Sequence, residues 1–370
     1  MLIRTILNSA HRMVYPFLPI FARSLGVDLS TMSLLMTARS LLGATSPLLG
    51  PIADRYGRRF GMLMGLGIFT VGISIVAIYP TFWTLVIALG LAIIGKYIFD
   101  PSMQAYFGDR IPYHQRGTAL AITEMSWSMA FIIGVPVAGY LIDTFGWSAP
   151  FPFFTILGLI AFFVIWHVIP KDDTHHTPVT TSHSGYLSIF KSPASVAGIS
   201  IALWVSAANE LVNVIFGVWL EDSFGLKIAA LAGASAIIGI SELSGEGLVA
   251  LTTDRLGKPR ALAIGLVANS IAAILLPFIG RSQVGALIGL FLFYISFEYI
   301  IVSHIPLVSE LAPSARATLL SLNVTGHALG RALGAFLAAI IYQNTGFLFV
   351  ALMAAFFNMI GIFALQRIQK

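Results

Sequence analysis

The chain has no cysteine among its 370 residues and only 10% charged side chains, against 57% hydrophobic ones. Without cysteine there is no disulfide framework, no thiolate nucleophile and no cysteine-ligated metal. A soluble domain carries roughly 25% charge, so the shortage of charge excludes a solvated globular protein of this length. Long polar stretches are scarce as well. Crossing hydrocarbon takes about 20 apolar residues per helix, and segments of that kind fill most of the chain, leaving no room for a separate soluble catalytic domain. Neither H-E-x-x-H nor G-x-S-x-G is present, which removes a helix-borne zinc hydrolase and a nucleophile elbow. No cofactor and no resident metal are expected. The formal net charge is +5, but the basic residues lie singly or in small clusters between apolar runs. That spread suits membrane topology and not a nucleic-acid-binding face.

What fills the chain is a series of twelve apolar segments, at about 4–25, 30–52, 60–79, 82–107, 117–141, 149–169, 194–220, 228–251, 261–280, 283–307, 317–342 and 346–366. They predict an all-α, multi-pass protein of the plasma (cell inner) membrane with the lipid bilayer as its solvent. The first segment holds Arg4, Asn8, His11 and Arg12, which marks a retained first helix and not a cleaved signal peptide. Arg55, Arg58, Arg59, Arg110, Arg116, Lys171, Lys191, Arg255, Lys258, Arg260, Arg316, Arg367 and Lys370 fall on one side of this arrangement, and only Arg23, Lys227 and Arg281 on the other. The positive-inside rule then puts both termini in the cytoplasm. One polar stretch, from 171 to 193, reads as a cytoplasmic linker between a bundle at 1–170 and a second at 194–370. Its His175, His176 and His183 lack a carboxylate at fixed spacing and read as solvated histidines.

The two parts are related. Asp54-Arg55-Tyr56-Gly57-Arg58-Arg59 returns as Asp254-Arg255-Leu256-Gly257-Lys258, and the same offset of two hundred matches Arg116 with Arg316, Thr118 with Thr318, Leu120 with Leu320, Gly134 with Gly334 and Gly146 with Gly346. Several matches at one offset indicate a duplicated six-helix unit, a plan of secondary transporters whose substrate site lies between the repeats.

Gly50, Asp54, Arg55, Gly57, Arg58 and Arg59 fit the signature G-x-x-x-D-R-x-G-R-R/K, and by this motif the chain resembles the major facilitator superfamily. The second copy keeps Asp254, Arg255, Gly257 and Lys258 but has Ala250 for the glycine and Pro259 for a base. The resemblance runs over essentially the whole chain and is greatest to small twelve-helix drug and metabolite efflux proteins. It implies twelve transmembrane helices in two pseudo-symmetric six-helix bundles. It also implies a cytoplasmic gate in which Asp54, Arg58, Arg110 and Arg116 latch the halves; the alternative for the arginines is a role as topology anchors only.

Buried ionisable residues are the second informative set. Arg12, Arg39, Lys96, Asp100, Glu124, Glu210, Glu242, Glu246, Glu298 and Arg331 lie within the segments, with His11, His304 and His327. At about 3 kcal/mol each, lipid-facing charges would cost roughly 30 kcal/mol, more than a net stability of about 5–15 kcal/mol. They must face one another or a watery cavity. Segments three, six, nine and twelve carry none of them, which agrees with the outer, supporting helices of the resembling family. Lys96 and Asp100 are four apart and positioned to pair. Glu242 and Glu246 are also four apart, so they should not both be ionised. Glu210, flanked by Asn209 and Asn213, and Glu298 are the preferred proton or cation sites, with Asp100 and Glu242 after them; a structural pairing of Glu210 or Glu298 with Arg331 or Arg12 is the alternative. Arg12, Arg39, Lys96, Asn209, Asn213, His327, Arg331, Tyr15 and Trp204 are the cavity candidates, with Trp127, Phe216 and Trp219 as further wall residues; packing contacts are the alternative for these aromatics.

Gly326, Gly330 and Gly334 invite a close helix neighbour, and Gly134, Pro136 and Gly139 resemble a degraded antiporter motif with Val135 and Tyr140 out of pattern. The expected function is secondary active transport of a small organic solute by a monomer, as a proton-coupled efflux antiporter. Proton-coupled uptake, anion transport by Arg12, Arg39 and Arg331, and a non-transporting receptor or scaffold are the alternatives.

Overall fold

The computed structural model of the chain describes residues 1–49, 51–171 and 189–368, and among them only helices, turns and short connections occur. The first half holds α1 (Leu2–Arg12), α2 (Leu18–Leu25), α3 (Leu29–Gly43), α4 (Ser46–Leu49), α5 (Pro51–Tyr56), α6 (Arg58–Ile78), α7 (Phe82–Arg110), α8 (Tyr113–Glu124), α9 (Ser126–Met129), a π-helical turn (Ala130–Gly134), α10 (Val135–Phe145) and α11 (Pro150–Val168). The second holds α12 (Pro193–Phe224), α13 (Ile228–Leu256), α14 (Lys258–Ile279), α15 (Gln283–Leu311), a 3-10 turn (Pro313–Ala315), α16 (Arg316–Thr345) and α17 (Phe347–Ile368).

Ten helical stretches among the described residues are long and apolar enough to cross a membrane. The first two expected segments are not among them, because each is divided into shorter helices. Pro16 lies in the break between α1 and α2 and Pro19 in the first turn of α2, while Pro47 lies in the short α4 and Pro51 begins α5. A proline removes one backbone donor and crowds the preceding turn. Two prolines three or four positions apart accompany each break here, whereas the single Pro101, Pro277 and Pro306 are carried inside α7, α14 and α15. Most of the linker expected at 171–193, with His175, His176 and His183, lies outside the described residues, as does Gly50.

Local chemistry sets the remaining ends. Thr81 and Thr84 cap each other's backbone at the start of α7, Asp28 accepts from the Thr31 amide at 2.8 Å ahead of α3, and Ser282 caps α15, each satisfying an orphan amide of a first turn. Gly57 and Gly257 have φ of 101° and 79°, and Gly146 and Gly346 have 94° and 79°. Those values suit glycine, and they fall at the offset of two hundred, so the sequence repeat is also a backbone repeat.

The residues cluster into two compact units. Unit 1 comprises Met1–Val27, Thr45–Thr180 and Ile228–Ala236. In it α6 packs on α7 and α11, while α1 lies along α7, α9 and the π turn. Gly65 and Gly95 face each other at the α6–α7 crossing; a Cβ on Gly65 would stand 2.6 Å from the Gly95 carbonyl. Unit 2 comprises Asp28–Ala44, Thr181–Lys227 and Ile237–Lys370. Its centre is α12, which packs on α15, α16 and α17, while α3 lies on α16. In its most apolar window α12 is 89% buried, against 28% for α11. The exposed side chains of α11, among them Ile156, Phe163 and Trp166, suit hydrocarbon as their solvent.

Candidate functional site

In unit 1 the buried charges are gathered by α1, α7, α8 and α9. Lys96 and Asp100 form the i, i+4 pair that their spacing predicts, with Nζ 2.7 Å from Oδ2. Arg4 completes the group: its Nε lies 3.2 Å from Asp100 Oδ1 and its Nη1 lies 2.7 Å from Glu124 Oε1, while Nη1 also donates to the Thr123 carbonyl. Lys96 Nζ donates to Asn8 Oδ1 at 2.6 Å, and Asn8 Nδ2 donates in turn to Ser126 Oγ. Two cations and two carboxylates thus neutralise each other, and the amide of Asn8 supplies the remaining acceptor. Such an arrangement keeps buried charge tolerable only while it is complete.

Around this network stands an aromatic wall. Lys96 Nζ is 4.6 Å from the centre of the Trp127 ring, and the Arg12 guanidinium lies 3.5 Å over Phe131 and 5.5 Å from Trp127. His11 meets Trp127 and Tyr15 edge to face. Cations held on ring faces need little water, which permits their burial. Gly134 belongs to this corner, since a Cβ there would overlap the Ser9 hydroxyl.

Unit 2 carries a polar seam between α12, α15 and α16. Glu210 is 1% exposed and lies 3.5 Å from Asn213 Nδ2, whose Oδ1 accepts from the Tyr294 hydroxyl at 2.8 Å. Ser206, one turn earlier, is 2.7 Å from His327 Nδ1, and Arg331 follows one turn after His327. His304 Nε2 reaches the Gly198 carbonyl at 3.1 Å. The seam is narrow because Gly326, Gly330 and Gly334 of α16 meet the carbonyls of Ile199, Leu203 and Ala207 on α12, four residues apart on both helices. Their close neighbour is therefore α12, within the same unit. Asn209, beside Glu210, holds a buried Oδ1 with no protein partner. Glu298, half-buried, packs on Gly245 of α13, between Glu242 and Glu246. Arg39 is buried on α3 of the same unit.

The aromatic candidates of unit 2 do not converge on one site. Trp204 packs on Phe357 of α17, Trp219 is stacked on Phe347, and Phe216 meets Tyr294. These are packing contacts with neighbouring helices. Tyr15, in unit 1, is buried beside His11.

At the motif, Arg58 Nε lies 3.0 Å from Asp109 Oδ2. Its counterpart Lys258 pairs with Glu310, so both copies of the repeat reach an acid at the end of α7 or α15. Arg59 donates to the Trp166 carbonyl and covers that indole ring. Arg55 lies over Tyr56, Arg110 over Tyr106, and Arg316 donates to the Ser309 carbonyl. Arg255 is exposed. The side chains of Asp54, Arg116 and Asp254 lie outside the described residues.

Sequence reasoning missed Arg4, Asn8, Asp109 and Glu310. Arg4 and Asn8 stand near the start of the chain, where polar residues read as a helix end. Asp109 and Glu310 close long helices beside the repeat motif, and an acid at that place in both halves was the available signal.

The profile of the Major Facilitator Superfamily matches residues 1–313. The chain is 25% identical over 374 residues to the uncharacterised MFS-type transporter YwfA of Bacillus subtilis (strain 168), covering 98% of this chain and 90% of that protein. It is 24% identical to multidrug resistance protein 2 of the same organism, covering 95% and 89%. Among solved structures, that of a D-xylose-proton symporter superposes with a TM-score of 0.78 at 17% identity, covering all of this chain and 96% of the other. The chain belongs to the Major Facilitator Superfamily and is a multi-pass membrane transporter, not an enzyme.

Proposed function

We propose that the protein exports a small organic solute in exchange for protons by alternating access. In this reading twelve spans form two six-helix halves, 1–170 and 194–370, joined by the linker at 171–193. The protein is a monomer of the cell inner membrane with both termini in the cytoplasm. The observation that carries the proton is Glu210: a carboxyl group buried at the centre of α12, beside two asparagines and a tyrosine. Ionisable groups buried within membrane spans are rare and mark ion or proton paths. Glu298 and Glu242 are the further carboxyl candidates of unit 2, and Asp100 is the candidate of unit 1. The network of Arg4, Lys96 and Asp100 holds the first half's cations close to Trp127, where Arg12 and Tyr15 complete a wall for an aromatic or charged solute. Asn209, Asn213, His327, Arg331 and Arg39 offer polar contacts in unit 2. Arg55, Arg58, Arg59, Arg110 and Arg116, with Asp54, Gly50 and Gly57, form the cytoplasmic gate, and Asp254, Arg255, Gly257 and Lys258 form its second copy. The efflux direction draws on the chain's likeness to a multidrug resistance protein.

The test is flux in proteoliposomes under imposed pH gradients of either sign, with ethidium as a cationic probe and benzoate as an anionic one. Export by antiport predicts ethidium movement against the proton flow, reduced at least tenfold in Glu210→Gln. Movement of either probe with the protons reverses the direction to symport. Flux indifferent to both gradients removes proton coupling. If Glu210→Gln and Glu298→Gln both keep the wild-type pH dependence, the carboxyl assignment is wrong.

A further inference from the structure

The polar seam of unit 2 continues past Glu210 toward the Pro193 end of α12, and the groups along it are histidines. His304 is 1% exposed, and its ring centre lies 6.0 Å from that of His327, with the ring planes at 84°. Each ring has one nitrogen committed. His304 Nε2 meets the Gly198 carbonyl, which fixes the proton on that nitrogen and leaves Nδ1 as an acceptor. His327 Nδ1 meets the Ser206 hydroxyl, which leaves Nε2 as the other free position. Glu210, Ser206 and Gly198 span twelve residues of α12, roughly 18 Å at 1.5 Å per residue.

Two further observations extend the line. Ser303 Oγ, next to His304, and Asn323 Oδ1, one turn from His327 on α16, are buried without a protein partner. Buried polar atoms of this kind are ordinarily matched by water. The charged groups carried by the helices around the pair are Glu210, Glu221 and Asp222 on α12, Glu298 and Glu310 on α15, Arg316 and Arg331 on α16, Arg39 on α3 and Arg367 on α17. Arg331 adds a like charge one turn from His327. Two imidazolium ions at this separation in a buried seam exclude each other, so the pair holds one proton at a time.

We propose that His304 and His327 form a site that holds one proton between them and exchanges it with Glu210 by way of Ser206. The Ser206 hydroxyl gives its proton to His327 Nδ1 as it takes one up from the Glu210 side, and the imidazolium passes its Nε2 proton to His304 Nδ1, the other free ring nitrogen. The proton returns by the same steps in reverse: His304 Nδ1 gives it back to His327 Nε2, and His327 Nδ1 returns one to the Ser206 hydroxyl, which restores both tautomers. One proton is taken up and one is returned, and neither ring ends the cycle charged. Such a site is independent of the solute and stores a proton for the carboxyl group.

The exchange with Glu210 rests on the proton-coupled reading, but proton binding by the pair does not, so the test reads binding alone. The full chain, with 15N-labelled histidine and in nanodiscs, is titrated by NMR between pH 4 and 9, the two rings being assigned from the signals lost in His304→Gln and His327→Gln. The expected result is that the two rings together take up one proton, that each single variant retains one titrating ring, and that Glu210→Gln shifts the shared midpoint by half a pH unit or more. Rings that both stay neutral throughout, that each take up a proton independently, or that ignore Glu210→Gln overturn the site. If the pair titrates as one while flux ignores the pH gradient, the transport reading fails and the proton site stands.

Discussion

Arg4, on the first helix of the chain, places its Nε 3.2 Å from a carboxylate oxygen of Asp100, ninety-six residues away on α7. The contact makes Asp100 the shared acid of two buried cations, since Lys96 holds its other oxygen.

Removing that acid alone should be costly. Asp100→Asn leaves Arg4 and Lys96 with only Glu124 to balance them, and breaking a buried ion pair from one side costs about 3–5 kcal/mol. Asp100→Asn with Lys96→Met leaves Arg4 and Glu124 in balance and should recover much of the loss. Thermal melts of the purified protein check this: the double variant should melt above Asp100→Asn, and a double variant that melts lower than either single one would show that the charges do not couple.

The pairs of Arg58 with Asp109 and Lys258 with Glu310 involve partly exposed side chains. Exposed ion pairs contribute between zero and about 1 kcal/mol, so their loss should hardly change the melting temperature. A gating role predicts a kinetic effect instead. Arg58→Asp should lower flux several-fold with little change in stability, and Arg58→Asp combined with Asp109→Arg should restore part of it. Equal flux in wild type and Arg58→Asp would reduce the arginine to a topology anchor.

Gly330 has the backbone of Leu203 where a Cβ would go, while Gly233 on α13 has nothing within 4 Å of that position. Gly330→Val must push α16 off α12, and overpacking costs of about 1–3 kcal/mol or more are expected. Gly233→Ala should be neutral or slightly stabilising. Yield and melting temperature of the two variants provide the measurement, and a Gly330→Val protein as stable as wild type would contradict the close approach.

Asp28 caps α3 through the Thr31 side chain and amide, which hold its carboxyl below the ordinary value near 3.8. A lowered value in the folded state means stability that is present above the unfolded value and lost as pH falls through the folded one. The melting difference between wild type and Asp28→Ala should be constant near neutral pH and shrink below about pH 3.8. Asp28→Ser, which keeps a capping oxygen, should show little pH dependence of its own in that range.

Much of this was open to reading from the chain. The shortage of charge, the length of the apolar segments and the repeated Asp-Arg motif suffice for a multi-pass transporter of this superfamily, because hydrocarbon admits few backbone solutions and charges near its centre must be used. The pairing of Lys96 with Asp100 was legible for the same reason that all i, i+4 pairs are: helix geometry is local. The breaks at Pro16 and Pro47 were less legible, since single prolines elsewhere in the chain are carried within helices. What proline does depends on whether neighbours satisfy the freed carbonyls, and neighbours are a tertiary matter.

Sequence alone therefore determined the class of molecule, its duplication, and the list of charges that needed partners. Tertiary structure decided who those partners are. Arg4 meets Asp100, His304 meets His327, and three glycines meet the backbone of α12 across separations in the chain that no local pattern encodes. The rotation of each helix about its axis, set by packing against all its neighbours at once, chooses which buried charge faces which.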